Sequence, residues 1–234
     1  MSEKPESRPN SARLEELTRE WFLESVRVKY SYRFSWMGRP IIQYPQDIVA
    51  MQELIWRVKP DCILECGIAH GGSLILYASL LQLLGENGKV VGVDVDIRRH
   101  NREAIETHPM ASRIEMIEGS SIDAGTVARV KEAVKGRSRI LLVLDSNHTH
   151  EHVLGELRAY SPLVKKGSYV VVFDTVVEQM PDELFGDRPW RKGNSPMTAV
   201  DQFLAEQARF EIDRDFDDRY LISVAPRGFL RCVA

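Results

Sequence analysis

Residues 62–73 read CILECGIAHGGS: an apolar run that reaches the acid Glu65, a turn carrying Gly67, Gly71 and Gly72, and Ser73 at the head of a long apolar segment. A short apolar strand, a glycine turn and a helix in succession make one half of a βαβ unit. Working outward, the segments Val90–Val95, Ile114–Ile117, Ile140–Leu144 and Ser168–Phe173 read as further strands. Ser73–Leu84, Arg102–Thr107, Ala124–Val134 and His148–Tyr160 read as the helices between them. Strands that alternate with helices predict a parallel sheet covered on both faces, and near-continuous apolar strands fit that burial. Beyond a helix at Pro196–Ala208, strands at Phe210–Asp213 and Tyr220–Val224 bring the expected sheet to seven. The expectation is an α/β fold: a mostly parallel seven-stranded sheet with helices on both faces.

The N-terminal part is different. Residues 1–12 are polar, with two prolines, and are expected to be disordered. Residues 13–59 form a helical and lid extension: a helix Ala12–Val28, an aromatic loop or lid Tyr30–Tyr44, and a helix after Pro45. Residues 60–234 form the α/β domain. A chain of 234 residues with 44% hydrophobic and 28% charged residues is an ordinary globular composition. A net charge of -3 and the absence of a Lys/Arg-rich run argue against nucleic acid as a partner. No apolar run approaches the roughly 20 residues of a membrane helix, and no secretory signal is visible. Three cysteines without a CxxC pair suit a reducing, cytoplasmic compartment. Trp21 and Phe22 offer a surface for homo-oligomer formation, or pack on their own domain.

The turn after Glu65 lies where open α/β sheets bind ligands, outside the carboxyl ends of the strands. Its spacing lacks the G-x-G-x-x-G of pyrophosphate binders, and no Lys-Ser/Thr follows. Glu65 would repel a phosphate and attract a cation. S-adenosylmethionine carries a sulfonium and an ammonium and no phosphate, so it is the expected ligand, with Gly67, Ala69, His70, Gly71 and Ser73 around it. Asp94 ends the next strand, about twenty residues on, where an acid accepts from ribose hydroxyls. Ser120 and Ser121 follow the third strand, where an adenine edge would lie. The competing reading is that these glycines serve only a tight turn.

Two later strands also end in acids, Asp145 and Asp174, on the same sheet edge. Such a pair can hold a hard cation such as Mg²⁺, which acidifies and orients a hydroxyl. His148, three residues beyond Asp145, is the candidate general base or substrate contact. Helix capping and solvated helix starts are the structural alternatives, and they suit His150 and His152 better.

At these residues the sequence resembles the cephalosporin hydroxylase and rhamnosyl O-methyltransferase family of S-adenosylmethionine-dependent enzymes. The segments WMGRPIIQYPQD, ECGIAHGGS, GVDVD, EGSSID, LDSNHTHEHV, GSYVVVFDT, SPMTAVDQFL and APRGFLR carry the resemblance, from about Trp36 to Arg231. It implies a Rossmann-like class I methyltransferase fold and Mg²⁺-aided methyl transfer to a hydroxyl of a small natural-product or sugar-like acceptor. The family's aspartate after the fourth strand maps onto Asp145. Its acidic pair maps onto Phe173 and Asp174, so one acid is missing, and Thr175 or water is left to supply the oxygen. Metal-free catalysis by His148 gains from that departure. The resemblance also makes the WMGRPIIQYPQD segment an active-site cover, with Trp36, Arg39, Gln43, Tyr44 and Asp47 toward ligand, or with Trp36 and Tyr44 packing the lid. It leaves 176–194 as a specificity loop.

Two other readings stand beside this one. The chain could bind the cofactor as a partner subunit of a multi-component system, without activity of its own. An NAD-dependent oxidoreductase is disfavoured by the glycine spacing.

Overall fold

The computed structural model describes residues 11–85 and 87–234. The stretch expected to be disordered lies outside these residues as far as residue 10. Ser11 already caps the first helix by accepting from the Leu14 backbone N–H. That helix, Ala12–Arg27 (α1), leads through a 3₁₀ turn into a hairpin of Phe34–Trp36 (β1) and Arg39–Ile41 (β2), and then Pro45–Val58 (α2). The expected lid is therefore partly regular. Pro45 opens α2 at a position where a missing N–H costs nothing.

The alternation follows: Cys62–Cys66 (β3), Gly72–Leu84 (α3), Lys89–Asp94 (β4), Arg99–Glu106 (α4), Ile114–Glu118 (β5), Ala124–Ala133 (α5), Ile140–Leu144 (β6), His150–Tyr160 (α6) and Tyr169–Val172 (β7). Pro196–Glu206 (α7), Phe210–Ile212 (β8), Arg214–Arg219 (α8) and Phe229–Cys232 (β9) complete the chain. The strand order is β5-β4-β3-β6-β7-β9-β8, parallel except where β9 pairs antiparallel with β7 and β8. This is the expected seven-stranded Rossmann-like sheet.

One strand is not where the sequence reading put it. Tyr220–Val224 is irregular, and the antiparallel strand between β7 and β8 is β9. Tyr220–Val224 has the apolar content of a strand, but Asp47 takes the Ser223 hydroxyl at 2.6 Å and the Val224 N–H at 3.1 Å. Those side-chain bonds replace a ladder, and the chain regains the sheet only after Pro226.

Side chains along the central strands alternate between two cores. Ile63, Val90, Leu141, Val143 and Val171 face Met51, Leu54 and Ile55 of α2 and Leu74 and Ala78 of α3. Leu64, Val91, Leu142 and Leu144 face Val130 of α5, Leu157 of α6 and Phe203 of α7. The extension at 13–59 thus contributes to the main core. Phe22 of α1 is also buried, against Tyr44. All parallel strands end on one edge, and the turns after β3, β4, β5, β6 and β7 collect there.

Candidate active site

The turn after β3 is built for close approach. Gly67 has φ +102, and a Cβ on it would stand 2.0 Å from the Asp145 carbonyl oxygen. A Cβ on Gly72 would stand 2.2 Å from the Pro40 carbonyl oxygen, so β2 lies directly on the start of α3. Ala69 sits at φ +46, a conformation that costs a non-glycine residue of order 1 kcal/mol or more. Two groups hold it there: Asp94 Oδ2 accepts from the Ile68 and Ala69 N–H groups, and Asn101 Nδ2 donates to the Ala69 carbonyl. Asp94 also accepts from Asp96 N–H. Three of its roughly four acceptor positions are thus taken, two of them by the loop, which leaves capacity for one further donor. Asn101 had no signal in the sequence, because it lies on α4, away from any motif.

Beneath this turn Glu65 is fully buried. Its Oε2 accepts from Ser73 Oγ at 2.8 Å, and the Tyr77 hydroxyl faces the same carboxyl. Burial pushes its carboxyl up to about 8, only partly opposed by the Ser73 and Tyr77 hydroxyls. The Tyr77 hydroxyl and both amide atoms of Gln43 are also buried, and none makes a hydrogen bond of ordinary geometry. Orphaned buried polar atoms are rare and costly. A cation donating hydrogen bonds, such as the ammonium of S-adenosylmethionine, fits this set.

The second half of the site gathers Asp145 after β6, His148 before α6, and Asp174 after β7. One ligand atom from each lies within 4.8 Å of the others. His148 Nε2 is 3.2 Å from Asp174 Oδ2. Asp174 holds φ +54, a second strained non-glycine residue at the site. The carboxyl of Asp145 is raised well above its ordinary value, first by burial and then by Asp174, Glu65, Asp47 and Glu156 in turn. The four groups that add to burial there are all acidic side chains. Two oxygen donors and an imidazole in a field of that sign suit a divalent cation.

Two cavities meet here. The smaller runs from Pro40–Gln43 over Gly67–His70 to Asp145. The larger, about 250 Å³, takes in Gln43, Asp145, His148 and Asp174 and is walled by apolar groups that include Phe22, Val177 and Trp190. Ile42, Gln43 and Asp145 line both. The Trp190 and His148 rings meet edge-to-face, 4.8 Å between centroids, and the Arg188 guanidinium lies over the Trp190 ring at 4.9 Å.

Other residues singled out in the sequence stand elsewhere. Thr175, expected as an oxygen donor to a cation, turns away: its hydroxyl donates to the Pro226 carbonyl at 2.7 Å. Phe173 points into the core, and His148 is the third residue of the group whose ligand atoms could surround a cation. Trp36 and Arg39 fasten the cover and do not line the acceptor cavity. Trp36 Nε1 donates to Ser79 Oγ, and Arg39 donates to the His70 carbonyl and to Asn101 Oδ1. Gln43 and Tyr44 do line that cavity, with the Tyr44 hydroxyl paired to Ser25. Asp47 is buried on Ser223. The His70 ring borders the smaller cavity. Ser120 and Ser121 follow β5, and Ser121 Oγ is bound to Glu156 and His152 of α6. His150 ties α6 to Thr198 and Gln202 of α7. Glu156 was missed, although His152 and Glu156 share a helix face at i,i+4.

This sheet order, with a glycine turn after its central strand and an acid closing the next strand, defines a class I S-adenosylmethionine-dependent methyltransferase. Residues 28–233 match the family described as Rhamnosyl O-methyltransferase/CmcI, and the chain belongs to that family. A rhamnosyl O-methyltransferase of Mycobacterium bovis is 29% identical over 95% of this chain and 86% of its own length. That of Mycobacterium leprae is 27% identical over 84% and 82%. A solved CmcI structure with Mg and SAM superposes with TM-score 0.60 at 19% identity, over 87% of this chain and 78% of that one. At that identity the likeness speaks for the fold. Among the described residues no helix is long and apolar enough to cross a membrane.

Proposed function

We propose that the protein transfers the methyl group of S-adenosylmethionine to a hydroxyl of a small sugar-like or natural-product acceptor. One observation carries the reading: Ile42, Gln43 and Asp145 wall both the cavity at the glycine turn and the cavity at His148 and Asp174. A cofactor laid along the glycine turn, over the small cavity of about 40 Å³, would bring its sulfonium to the junction, facing an acceptor in the second. Ser73, Glu65 and Gln43 hold the methionine end, Asp94 the ribose, and Ser120 and Ser121 the adenine.

His148 takes the proton. With Nε2–H donated to Asp174, Nδ1 keeps a lone pair for the acceptor hydroxyl. The acceptor oxygen forms the new bond to the methyl carbon. The carbon–sulfur bond breaks, and its electron pair stays on sulfur as the neutral thioether. Trp190 fixes the plane of the imidazole and gives a sugar ring an apolar face. Asp145 and Asp174 would hold Mg²⁺, which supplies Lewis acidity that lowers the pKa of a hydroxyl beside it. Oxygen donors from both strands and the Asp145 environment support that assignment.

The test is incubation with methyl-labelled cofactor and a panel of glycosides and phenols, read by mass spectrometry, with and without EDTA. Wild-type labelling that disappears in Asp145→Ala supports the reading. Turnover unchanged in Asp145→Ala, with and without EDTA, removes the cation. Cofactor binding with no labelled product across the panel would favour a non-catalytic partner subunit. The three buried cysteines, none bridged, fit a cytoplasmic setting. Phe22 is buried, so for homo-oligomer formation we propose Trp21 with its exposed neighbours Leu14 and Leu17 on α1, and sedimentation of Trp21→Glu checks it.

A further inference from the structure

Glu156 has no part in the chemistry above, yet it is fully buried and central to a network at the site. It lies on α6. Its Oε1 accepts from Ser121 Oγ at 2.5 Å and from Ser146 Oγ at 2.6 Å. Ser121 belongs to the turn after β5, and Ser146 to the turn after β6. Those two strands are separated in the sheet by β4 and β3. One carboxyl oxygen therefore ties together two turns that flank the strand ends where the cofactor lies. Tyr160, one turn further along α6, donates to the Ser121 carbonyl at 2.6 Å and fixes the same turn from below.

A hydroxyl has one proton and two lone pairs. Both serine protons point at Glu156, which has none to offer at Oε1. Both oxygens can then act toward a ligand only as acceptors. His152 Nε2 stands 3.0 Å from Ser121 Oγ and 3.4 Å from Glu156 Oε1. With the serine proton already committed, that contact requires an N–H on Nε2. It takes one lone pair of Ser121 and leaves one. The buried Cys66 thiol of β3 also lies against the Glu156 carboxyl and holds it from the sheet side.

We infer that Glu156 is a positioning residue that sets the hydrogen-bond polarity of the purine subsite, making it an acceptor surface that selects a 6-amino purine nucleoside over a 6-oxo one. This rests on the cofactor reading above, with its purine end at Ser120 and Ser121. The exocyclic amine of adenine presents two N–H donors to such a surface. The oxo group of hypoxanthine presents lone pairs to lone pairs and leaves the serine acceptors unpaired. A buried group left unpaired is the larger part of such discrimination.

Calorimetric titration of the full-length protein with S-adenosylhomocysteine and with S-inosylhomocysteine tests it, because the two differ only in the 6-substituent and in the proton that the oxo form carries on the neighbouring N1. The wild type should bind the amino form at least about tenfold more tightly, the worth of one such hydrogen bond. In Glu156→Gln the side-chain amide can donate to a serine oxygen and turn its proton outward. The preference should then shrink to within about threefold, one strong bond having been replaced by an ambiguous one. A merely structural Glu156 would weaken both ligands equally and leave the ratio intact. That result overturns the inference, as does equal binding of both ligands to the wild type. Should Glu156→Gln fail to fold, Ser121→Ala removes the acceptor itself and is expected to lose the preference. A preserved tenfold ratio there also overturns it. If the wild type binds neither ligand, the cofactor reading itself falls, which is distinguishable from the loss of a ratio.

Discussion

The cofactor half of the site and the acceptor half are assembled in opposite ways. Glu65, Gly67, Ala69, His70 and Ser73 lie within nine consecutive residues on one βα turn. The acceptor half draws Phe22 from α1, Gln43 and Tyr44 from the cover, Asp145 and His148 after β6, Asp174 after β7 and Trp190 from the loop beyond. The first uses backbone geometry, which local sequence dictates. The second uses side chains that only the sheet brings together. Damage to the two halves should therefore differ in kind: binding and stability suffer on one side, turnover on the other.

The largest effect is expected on the acceptor side. His148→Ala should lower kcat by about 10²–10⁴-fold, the range of a lost general base, while the dissociation constant for S-adenosylhomocysteine stays within about threefold. Steady-state kinetics with calorimetry check this. A matching loss of cofactor affinity would dissolve the contrast between the halves.

Next comes a pH effect at the cofactor turn. Burial holds the Glu65 carboxyl at about 8 in the fold, against an ordinary value near 4.5. Between those values the folded protein keeps a proton that the unfolded chain releases. Stability of the unliganded protein should thus fall as pH rises from about 5 to 8, by up to about 1.4 kcal/mol per pH unit, and level off above. Denaturant midpoints across that range measure the slope, and Glu65→Gln should flatten it. A cationic ligand would favour the ionised form, so cofactor binding near pH 7 should release a proton. Calorimetry in buffers of different ionisation enthalpy detects that release.

Gly67→Ala should cost about 3 kcal/mol, from a methyl against the Asp145 carbonyl and an unfavourable φ together. Thermal melts would show it. A smaller change of opposite sign is expected at the junction. Gln43 buries two unpaired polar atoms, so Gln43→Leu should stabilise the unliganded protein by about 1–3 kcal/mol while lowering kcat. A variant that is both less stable and fully active would show that Gln43 serves packing.

The sheet was readable because its strands are short, apolar and punctuated by glycine, proline or acid. Tyr220–Val224 was misplaced because Asp47 takes the Ser223 hydroxyl and the Val224 N–H in place of a ladder, a fact held in a contact between distant segments. The same limit shaped the site. Glu65, Asp94, Asp145 and Asp174 were visible as acids closing strands. Trp36 and Arg39 were assigned toward ligand by position, and the structure shows them fastening the cover to Ser79, His70 and Asn101. Asn101 and Glu156 had no strand-end position to betray them. Glu156 was detectable only through its spacing from His152.

The sequence by itself determined the α/β alternation, the glycine turn and the sign of the charge beneath it. These depend on residue type, period and neighbours only a few positions apart. Tertiary structure decided that Phe173 faces the core while His148 joins Asp145 and Asp174. It decided too that Thr175 bonds Pro226, and that Gln43 stands between two cavities. Those outcomes follow from which strands are adjacent and which way each side chain faces, and adjacency is a property of the packed sheet.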